Sequence, residues 1–308
     1  MSYKVKSPIL FIIFNRPHET EQVFEAIRKA QPKKLYIAAD GPRLTKKEDL
    51  MLCQQTRDII KNVDWDCEVK TLLRDENLGC KKAVSEAITW FFDNEPEGII
   101  LEDDCLPNID FFMFMDQMLE YYRYNDKVAH ICGCNFQDGI KRGLYSYYFS
   151  NITHVWGWAG WRRVWIKYDV HMSMLNKAIK KDFLSALTDS KINKLFLETS
   201  YKKVVKGHIN TWDYQYGFLN LLNNMVSVIP NNNMLSNIGF NKNGTHTLTE
   251  SVMADIPFEP LILPLKHPDI IITSKEADEY TLKKEVPKSY KVILTAIKFF
   301  VKEALFNK

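Results

Sequence analysis

Three consecutive carboxylates, Glu102-Asp103-Asp104, are the densest group of chemistry-bearing residues in this chain. Side by side they repel one another, and such a cluster is expensive unless a cation or hydrogen-bond donors answer it. Carboxylate oxygens suit hard divalent ions such as Mg²⁺ and Mn²⁺, which also bind phosphates. The triplet follows Gly98-Ile-Ile-Leu101, an apolar run without alternation that comes after the breaker Glu95-Pro96-Glu97 and reads as a short buried strand. Pro107 ends the crossing, and residues 109–122 read as a helix leading away. Strand, acidic end and helix in that order mark the place where an open α/β sheet keeps its ligand.

The elements that must position these groups follow from the hydrophobic pattern. Residues 8–14 are fully apolar, as in a parallel strand covered on both faces. Helical spacing follows over 18–29, then a strand at 34–39, a helix at 47–62, a strand at 67–73 and a helix at 80–92. Strands alternating with helices imply right-handed βαβ units and a parallel sheet. Polar residues then gather at strand ends: Asn15 and Arg16, Asp40, Arg74 to Asn77, and the triplet. In a parallel sheet those ends face one edge, so they converge. No Gly-x-Gly-x-x-Gly follows the first strand, which argues against a dinucleotide-binding Rossmann site.

Further along, 127–133 and 145–150 read as strands. Trp161 and Trp165 are four apart, which places them on one face of a helix starting near Trp158. Trp156 and Trp158 sit beside glycines that let a substrate approach the backbone, and aromatic surfaces suit stacking on sugar rings. Helices are expected over 181–187 and 191–206, with Asp213 as catalytic base, as cap of a helix over 214–223, or as both. A strand at 225–230 precedes a loop over 237–246 with the composition of a functional lid. Residues 256–268 carry four prolines and read as extended chain wrapping the surface.

Leu101-Glu-Asp-Asp104 followed by Pro107-Asn-Ile-Asp-Phe-Phe112 resembles the metal-binding motif of GT-A glycosyltransferases. The Glu-Asp-Asp form is similar to that of the N-acetylglucosaminyltransferase I family (glycosyltransferase family 13). The resemblance spans residues 8–247 and implies a GT-A type α/β fold, a Rossmann-like mostly parallel sheet flanked by helices, with a C-terminal extension. It implies Asp104 as ligand of Mn²⁺ or Mg²⁺, and Glu102 and Asp103 as partners of sugar and ribose hydroxyls. Asn15 and Arg16 match the position near the nucleotide, and Asp40 that of the aspartate reading the uracil edge. Asn77 and Gly79 lie in a segment like one near the diphosphate-sugar. Arg43 and Arg74 would pair with phosphate or, as surface arginines commonly do, with carboxylates. Trp156-Gly157-Trp158 resembles a segment of the acceptor and sugar pocket, and Trp212-Asp213 the pair whose aspartate is the base, with Trp212 beside the acceptor and sugar. Gly244-Thr-His246 is similar to a lid sequence, so that His246 would ligate the metal or touch the diphosphate.

Composition bounds the remaining classes. With 308 residues, 46% hydrophobic and 26% charged, the chain is ordinary for a soluble globular protein that buries a sizeable core. Residues 288–308 hold five lysines and one glutamate, a local +4 against a total of +3, which leaves −1 on residues 1–287. A nearly neutral body does not suggest a nucleic-acid binder. Six cysteines show no zinc-ligand spacing. The opening Met-Ser-Tyr-Lys-Val-Lys leads into a strand without a signal-peptide hydrophobic region, and no apolar run approaches the ~20 residues that span a bilayer. The expected setting is a reducing, bacterial cytoplasm.

In residues 288–308, Lys288, Lys291, Lys298 and Lys302 share a stripe opposite Ile293, Ile297, Phe300, Val301 and Leu305. That pattern reads either as an anchor on anionic membrane or as a helix docked on its own core. The organisation expected is a GT-A domain over 1–250, with a nucleotide half 1–125 and an acceptor half 126–250, an extended segment 251–287 and a terminal helix 288–308.

These readings describe a metal-dependent, inverting glycosyltransferase of polysaccharide biosynthesis, moving a sugar from a UDP-type donor to a glycan or lipid-linked acceptor. Two alternatives remain from the residues: a nucleotidyltransferase that makes the sugar nucleotide, and a glycan-binding module without catalysis. The first usually carries a glycine- and lysine-rich loop after its first strand, where this chain has Asn15-Arg16-Pro17.

Overall fold

The computed structural model describes residues 3–239 and 256–306. In chain order it contains β1 (Ile9–Ile13), α1 (Pro17–Ala30), β2 (Lys34–Ala39), α2 (Asp49–Ile59), β3 (Glu68–Leu73), α3 (Gly79–Asn94) and β4 (Glu97–Glu102). Next come β5 (Cys105–Pro107), α4 (Ile109–Tyr122), β6 (Val128–Cys132), β7 (Tyr147–Ser150), β8 (Trp158–Trp161), α5 (Arg162–Trp165) and α6 (Leu175–Lys180). The chain continues through α7 (Lys191–Val205), α8 (Asp213–Leu222), β9 (Val226–Pro230), β10 (Leu235–Asn237), α9 (Lys275–Glu285) and α10 (Ser289–Phe306).

Local chemistry explains several of these boundaries. Pro17 opens α1, where a missing N–H costs nothing. Asn108 caps α4 by accepting from the Phe111 N–H, and Ser274 caps α9 by accepting from the Ala277 N–H. The apolar runs of β1, β2 and β4 are covered on both faces, as expected of central parallel strands.

The fold is α/β: an eight-stranded, mostly parallel, Rossmann-like sheet flanked by helices, in the order β3-β2-β1-β4-β8-β6-β9-β7. Within this sheet, among the described residues, only β8 and β7 pair antiparallel with their neighbours; β5 and β10 form a separate antiparallel pair. The sheet runs without a break across residue 125, so both expected halves share one hydrophobic core. A smaller second core gathers Leu175, Leu187, Tyr201, Phe218, Leu221 and Leu282. From β1 the sheet grows through β2 to β3 on one side, and β4 then pairs on the other side of β1. The carboxyl ends of β1 and β4 therefore flank a topological switch point, where open α/β sheets leave a crevice.

The structure corrects three expectations. Trp158–Trp161 is a sheet strand, and the helical turn starts only at Arg162. A four-residue aromatic spacing fits a helix face equally well, but Trp158, Ala159 and Gly160 are locked between β4 and β6 by register. The segment 251–287 is not extended throughout, because α9 inserts Ala277, Thr281 and Leu282 into the body. Asp213 does not cap α8 from outside; it is the helix's first residue, Trp212 takes the cap position, and no side-chain cap hydrogen bond forms. A carboxylate in the first turn is still favoured by the helix dipole.

Gly157 tests how tightly the two halves of the sheet are packed. Its φ is +54°, and a Cβ there would overlap Leu235 Cδ1 and lie 3.3 Å from both Leu101 Cδ2 and Phe111 Cε2. Gly157→Ala should therefore destabilise the protein by about 2–4 kcal/mol, combining backbone strain with overpacking. Urea unfolding measures this, and a loss below about 1 kcal/mol would mean that Leu235 yields easily.

Candidate functional site

The crevice at the β1/β4 switch holds a cleft of about 260 Å³ lined by Arg16, Arg43, Arg74, Asp40, Glu102 and Asp103, among others. Arg16, at the end of β1, is the resident cation of the acidic triplet. Its Nη1 donates to Asp104 Oδ2 at 2.6 Å and its Nε lies 3.6 Å from Asp103 Oδ1. Asp103 also accepts from the Phe14 N–H at 3.2 Å. Burial and the neighbouring carboxylates push the Glu102 carboxyl up to about 8, and burial holds Asp103 well above the ordinary range against the pull of Arg16. One guanidinium thus answers three carboxyls incompletely, and the fold meets the remainder by keeping protons.

Asp104 is not part of the cleft lining. Besides the bond to Arg16, its backbone carbonyl accepts from the Ile238 N–H at 2.9 Å. The chain passes so close over this pair that a Cβ on Gly239 would sit 2.7 Å from Arg16 Nη1.

The nucleotide-side residues come together, but with partners of their own. Asp40 accepts from the N–H groups of Gly41, Leu78 and Gly79 and from Asn77 Nδ2, all between 3.0 and 3.1 Å. Its lone pairs are taken up in holding the turn that opens α3, so reading a base edge would require this turn to open. Arg43 forks onto Asp49, a fully buried carboxylate that also accepts from Asn15 Nδ2 at 2.9 Å. Asn15 thereby steadies Arg43 from outside the cleft. Arg74 bonds Glu86 at 3.1 Å; that partner is exposed, so Arg74 is the arginine most easily re-aimed at a phosphate. Gly79 faces the cleft beneath Asn210, whose Oδ1 accepts from the Lys81 N–H at 3.1 Å.

A second cavity of about 360 Å³ contains Asp213, Trp156, His154, Tyr214 and Glu285. Asp213 accepts from Thr211 Oγ1 at the start of α8. It lies within electrostatic reach of both spaces: it contributes to raising the carboxyl of Glu102 in the cleft and that of Glu285 in the cavity.

Three expected sugar-binding residues are corrected. Trp158 and Trp212 are 1% and 2% exposed and pack with Trp165 and Tyr216 in one aromatic cluster, leaving no ring face for a ligand. Gly157 is filled over by Leu235 rather than open to substrate. Of that segment only Trp156 reaches a cavity, where its ring meets Phe136 edge-on at 5.2 Å. His246 lies outside the described residues. Asp49, Cys80, Asn210 and Glu285 were missed. Asn210 could have been suspected from its place just before Trp212-Asp213, while Asp49 and Glu285 sit in ordinary charged helices that carry no signal.

Among the described residues, the side chains as they are arranged do not form a divalent-ion site. The oxygens are of the right type for Mn²⁺ or Mg²⁺. Among the described residues, however, no three His, Cys, Asp or Glu side chains converge as a metal would need. The expected ligand Asp104 is held by Arg16, so no chemical step is derived through a metal.

No protein-family model matches the chain, and no curated protein does. Among solved structures, HddC from Yersinia pseudotuberculosis is similar at 10% identity over 51% of this chain and 78% of that one, with a TM-score of 0.31. The 4-diphosphocytidyl-2C-methyl-D-erythritol synthase of Anaerococcus prevotii is similar at 11% identity over 66% and 82%, also at 0.31. A UDP-glucose pyrophosphorylase in complex with UDP-glucose is similar at 12% identity over 46% and 62%, at 0.25. None of these three is a glycosyltransferase by name, and at such TM-scores the likeness carries no argument about activity.

The raised carboxyls make stability depend on pH. The folded chain keeps a proton on Glu102 where the unfolded chain, with its carboxyl near 4.5, has lost it. Stability is therefore full below that value and falls as pH rises through the raised one. Between about pH 7.5 and 8.5, where histidines are already neutral in the unfolded chain as well as the folded one, Tm should fall by about 1–2 °C. Glu102→Gln should flatten that slope. An unchanged slope in the mutant would mean that Glu102 is ionised in the fold.

Proposed function

We propose that the chain is a glycosyltransferase that takes a nucleotide-diphosphate sugar into the β1/β4 cleft and transfers the sugar to an acceptor hydroxyl presented from the second cavity. The observation that carries this reading is a pair of cavities reached from one short stretch of chain: Asp213 lines one, and Asn210, three residues before it, lines the other. One is lined by arginines and carboxyls, and the other is aromatic with a carboxylate at its wall. Group transfer between two substrates needs two such spaces and a base between them. Arg16, Arg43 and Arg74 supply cationic donors whose geometry suits a diphosphate, and Glu102 and Asp103 supply partners for sugar hydroxyls. In the transfer the acceptor oxygen bonds to the anomeric carbon as its bond to the diphosphate breaks. The acceptor proton goes to Asp213 and the nucleoside diphosphate leaves with the bonding electron pair. A direct displacement of this kind inverts the anomeric centre.

A second reading is synthesis of the sugar nucleotide by a nucleotidyltransferase, the kind of reaction named by one of the similar solved structures, the UDP-glucose pyrophosphorylase. Against it stands the turn after β1, where Phe14-Asn15-Arg16 leads straight into α1 without a glycine-rich loop. The products separate the readings. Incubation with UDP-, GDP- and ADP-sugars should release nucleoside diphosphate, whereas nucleoside triphosphate with sugar 1-phosphate should yield no pyrophosphate. Asp213→Asn should cut transfer by about 10²–10⁴ while nucleotide-sugar still raises Tm. Retained turnover would remove Asp213 as base. Loss of release on chelation would bring Mn²⁺ or Mg²⁺ back into the site.

The same reading extends to a membrane-bound acceptor. Among the described residues no helix is long and apolar enough to cross a membrane. In α10 the stripe Val292, Ala296 and Phe299 is buried, on the side packed against α7. Ile293, Ile297, Val301 and Leu305 are exposed beside Lys291 and Lys298. An apolar face bordered by lysines suits the interface of an anionic bilayer. The protein should co-sediment with phosphatidylglycerol-containing vesicles and not with purely zwitterionic ones. Lys291→Glu with Lys298→Glu should weaken that binding by about tenfold, and equal binding to both vesicle types would end the membrane reading.

A further inference from the structure

We infer that the second cavity takes the uncharged end of a saccharide and excludes anionic sugars and phosphates, with Glu285 of α9 as the residue that, beside Asp213, sets this preference. The inference rests on the transferase reading for the role of the cavity as acceptor site. It names the chemical class of acceptor, which that reading leaves open.

The cavity's lining carries the argument. Among the described residues its ionisable groups are Asp213, Glu285, His154, Tyr201 and Tyr214, and none of the described wall residues is a lysine or arginine. Burial drops His154 to about 3, so this imidazole is neutral at physiological pH and offers an anion no charge. Its Nδ1 lies 3.8 Å from Glu285 Oε1. Glu285 closes α9, where the partial negative charge of the helix end also repels an anion. Burial and Asp213 raise it to about 7, so it is partly ionised at neutral pH. An anionic ligand would meet two carboxyl groups, those of Asp213 and the partly ionised Glu285, with no lysine or arginine beside them among the described wall residues, and low surrounding polarity strengthens the repulsion.

An uncharged sugar meets complementary groups instead. Trp156, Phe136 and Tyr214 offer ring faces and edges, and the two carboxyls accept from hydroxyls. At about 360 Å³ the cavity is in the size range of a site for one small ligand. Gly217, one turn along α8 from Asp213, opens the floor: a Cβ there meets nothing within 4 Å. A large side chain at 217 can therefore fill the cavity without displacing protein atoms at its root.

The test uses the full chain and saturation-transfer NMR with lactose and N,N′-diacetylchitobiose as neutral probes and cellobiouronic acid as the anionic one. Neutral probes should bind at millimolar concentration, and the acid about tenfold more weakly at pH 8. Glu285→Gln should narrow that gap at least about threefold, since one of two repelling charges is gone. Gly217→Trp should abolish neutral-probe binding while the nucleotide-sugar that stabilises the wild type still raises Tm. Equal binding of acid and neutral probes, absence of neutral-probe binding, or neutral binding unchanged in Gly217→Trp would each overturn the inference. Should Gly217→Trp fail to fold, the Glu285→Gln comparison decides alone. Failure of every nucleotide-sugar to stabilise the wild type would count against the transferase reading and leave the saccharide result standing on its own.

Discussion

One guanidinium between two carboxylates organises this molecule. Arg16 leaves β1 at the point where the sheet reverses its direction of growth, and the acidic triplet leaves β4 beside it. The switch point leaves a crevice there, walled by an ion pair that is itself largely enclosed, and an enclosed charge pair is costly unless its hydrogen bonds are complete. The completion is only partial. Asp103 gains the Phe14 N–H, Asp104 gains Arg16, and Glu102 is left to hold a proton. A site balanced in this way is electrostatically sensitive to any charge brought near it.

The rest of the structure limits how that site can move. Asp40 and Asp49 each satisfy several donors and so freeze the loops that follow β2. The cluster of Trp158, Trp165, Trp212 and Tyr216 locks the start of α8, and with it Asp213, against the far side of the sheet. Asp213 is thus fixed by packing that has no part in binding. Of the tryptophans in the 156–165 segment, Trp156 lines a cavity and Trp158, Trp161 and Trp165 are sealed in packing. Rigid aromatic support of this kind fixes the position of a carboxylate to within a fraction of an ångström, as a catalytic role would require.

Much of the first half of the fold was legible because its strands are apolar runs and its helices amphipathic, so period and composition agreed. β2 and α4 fall on the residues that the pattern predicted. Legibility failed where two structures share one pattern. Tryptophans at 158, 161 and 165 satisfy a helix face, yet the first two end a strand covered on both sides, where every position is buried and alternation disappears. It failed again at α9, a polar helix whose few buried residues, Ala277, Asp278, Thr281 and Leu282, are not marked by hydrophobicity.

By itself the sequence determined that three carboxyls stand at a strand's end, that polar groups gather on one sheet edge, and that the last helix is basic and amphipathic. Those features depend on neighbours in the chain and on the periods of helix and strand, both written into local order. The tertiary structure decided that Arg16 is the triplet's cation, that Asp40 is spent on a turn, and that Glu285 shares a cavity with Asp213. It also decided which tryptophans are sealed. Each of those outcomes rests on strand order and on packing between segments far apart in the chain, where distance and burial rather than residue type determine what a side chain can do.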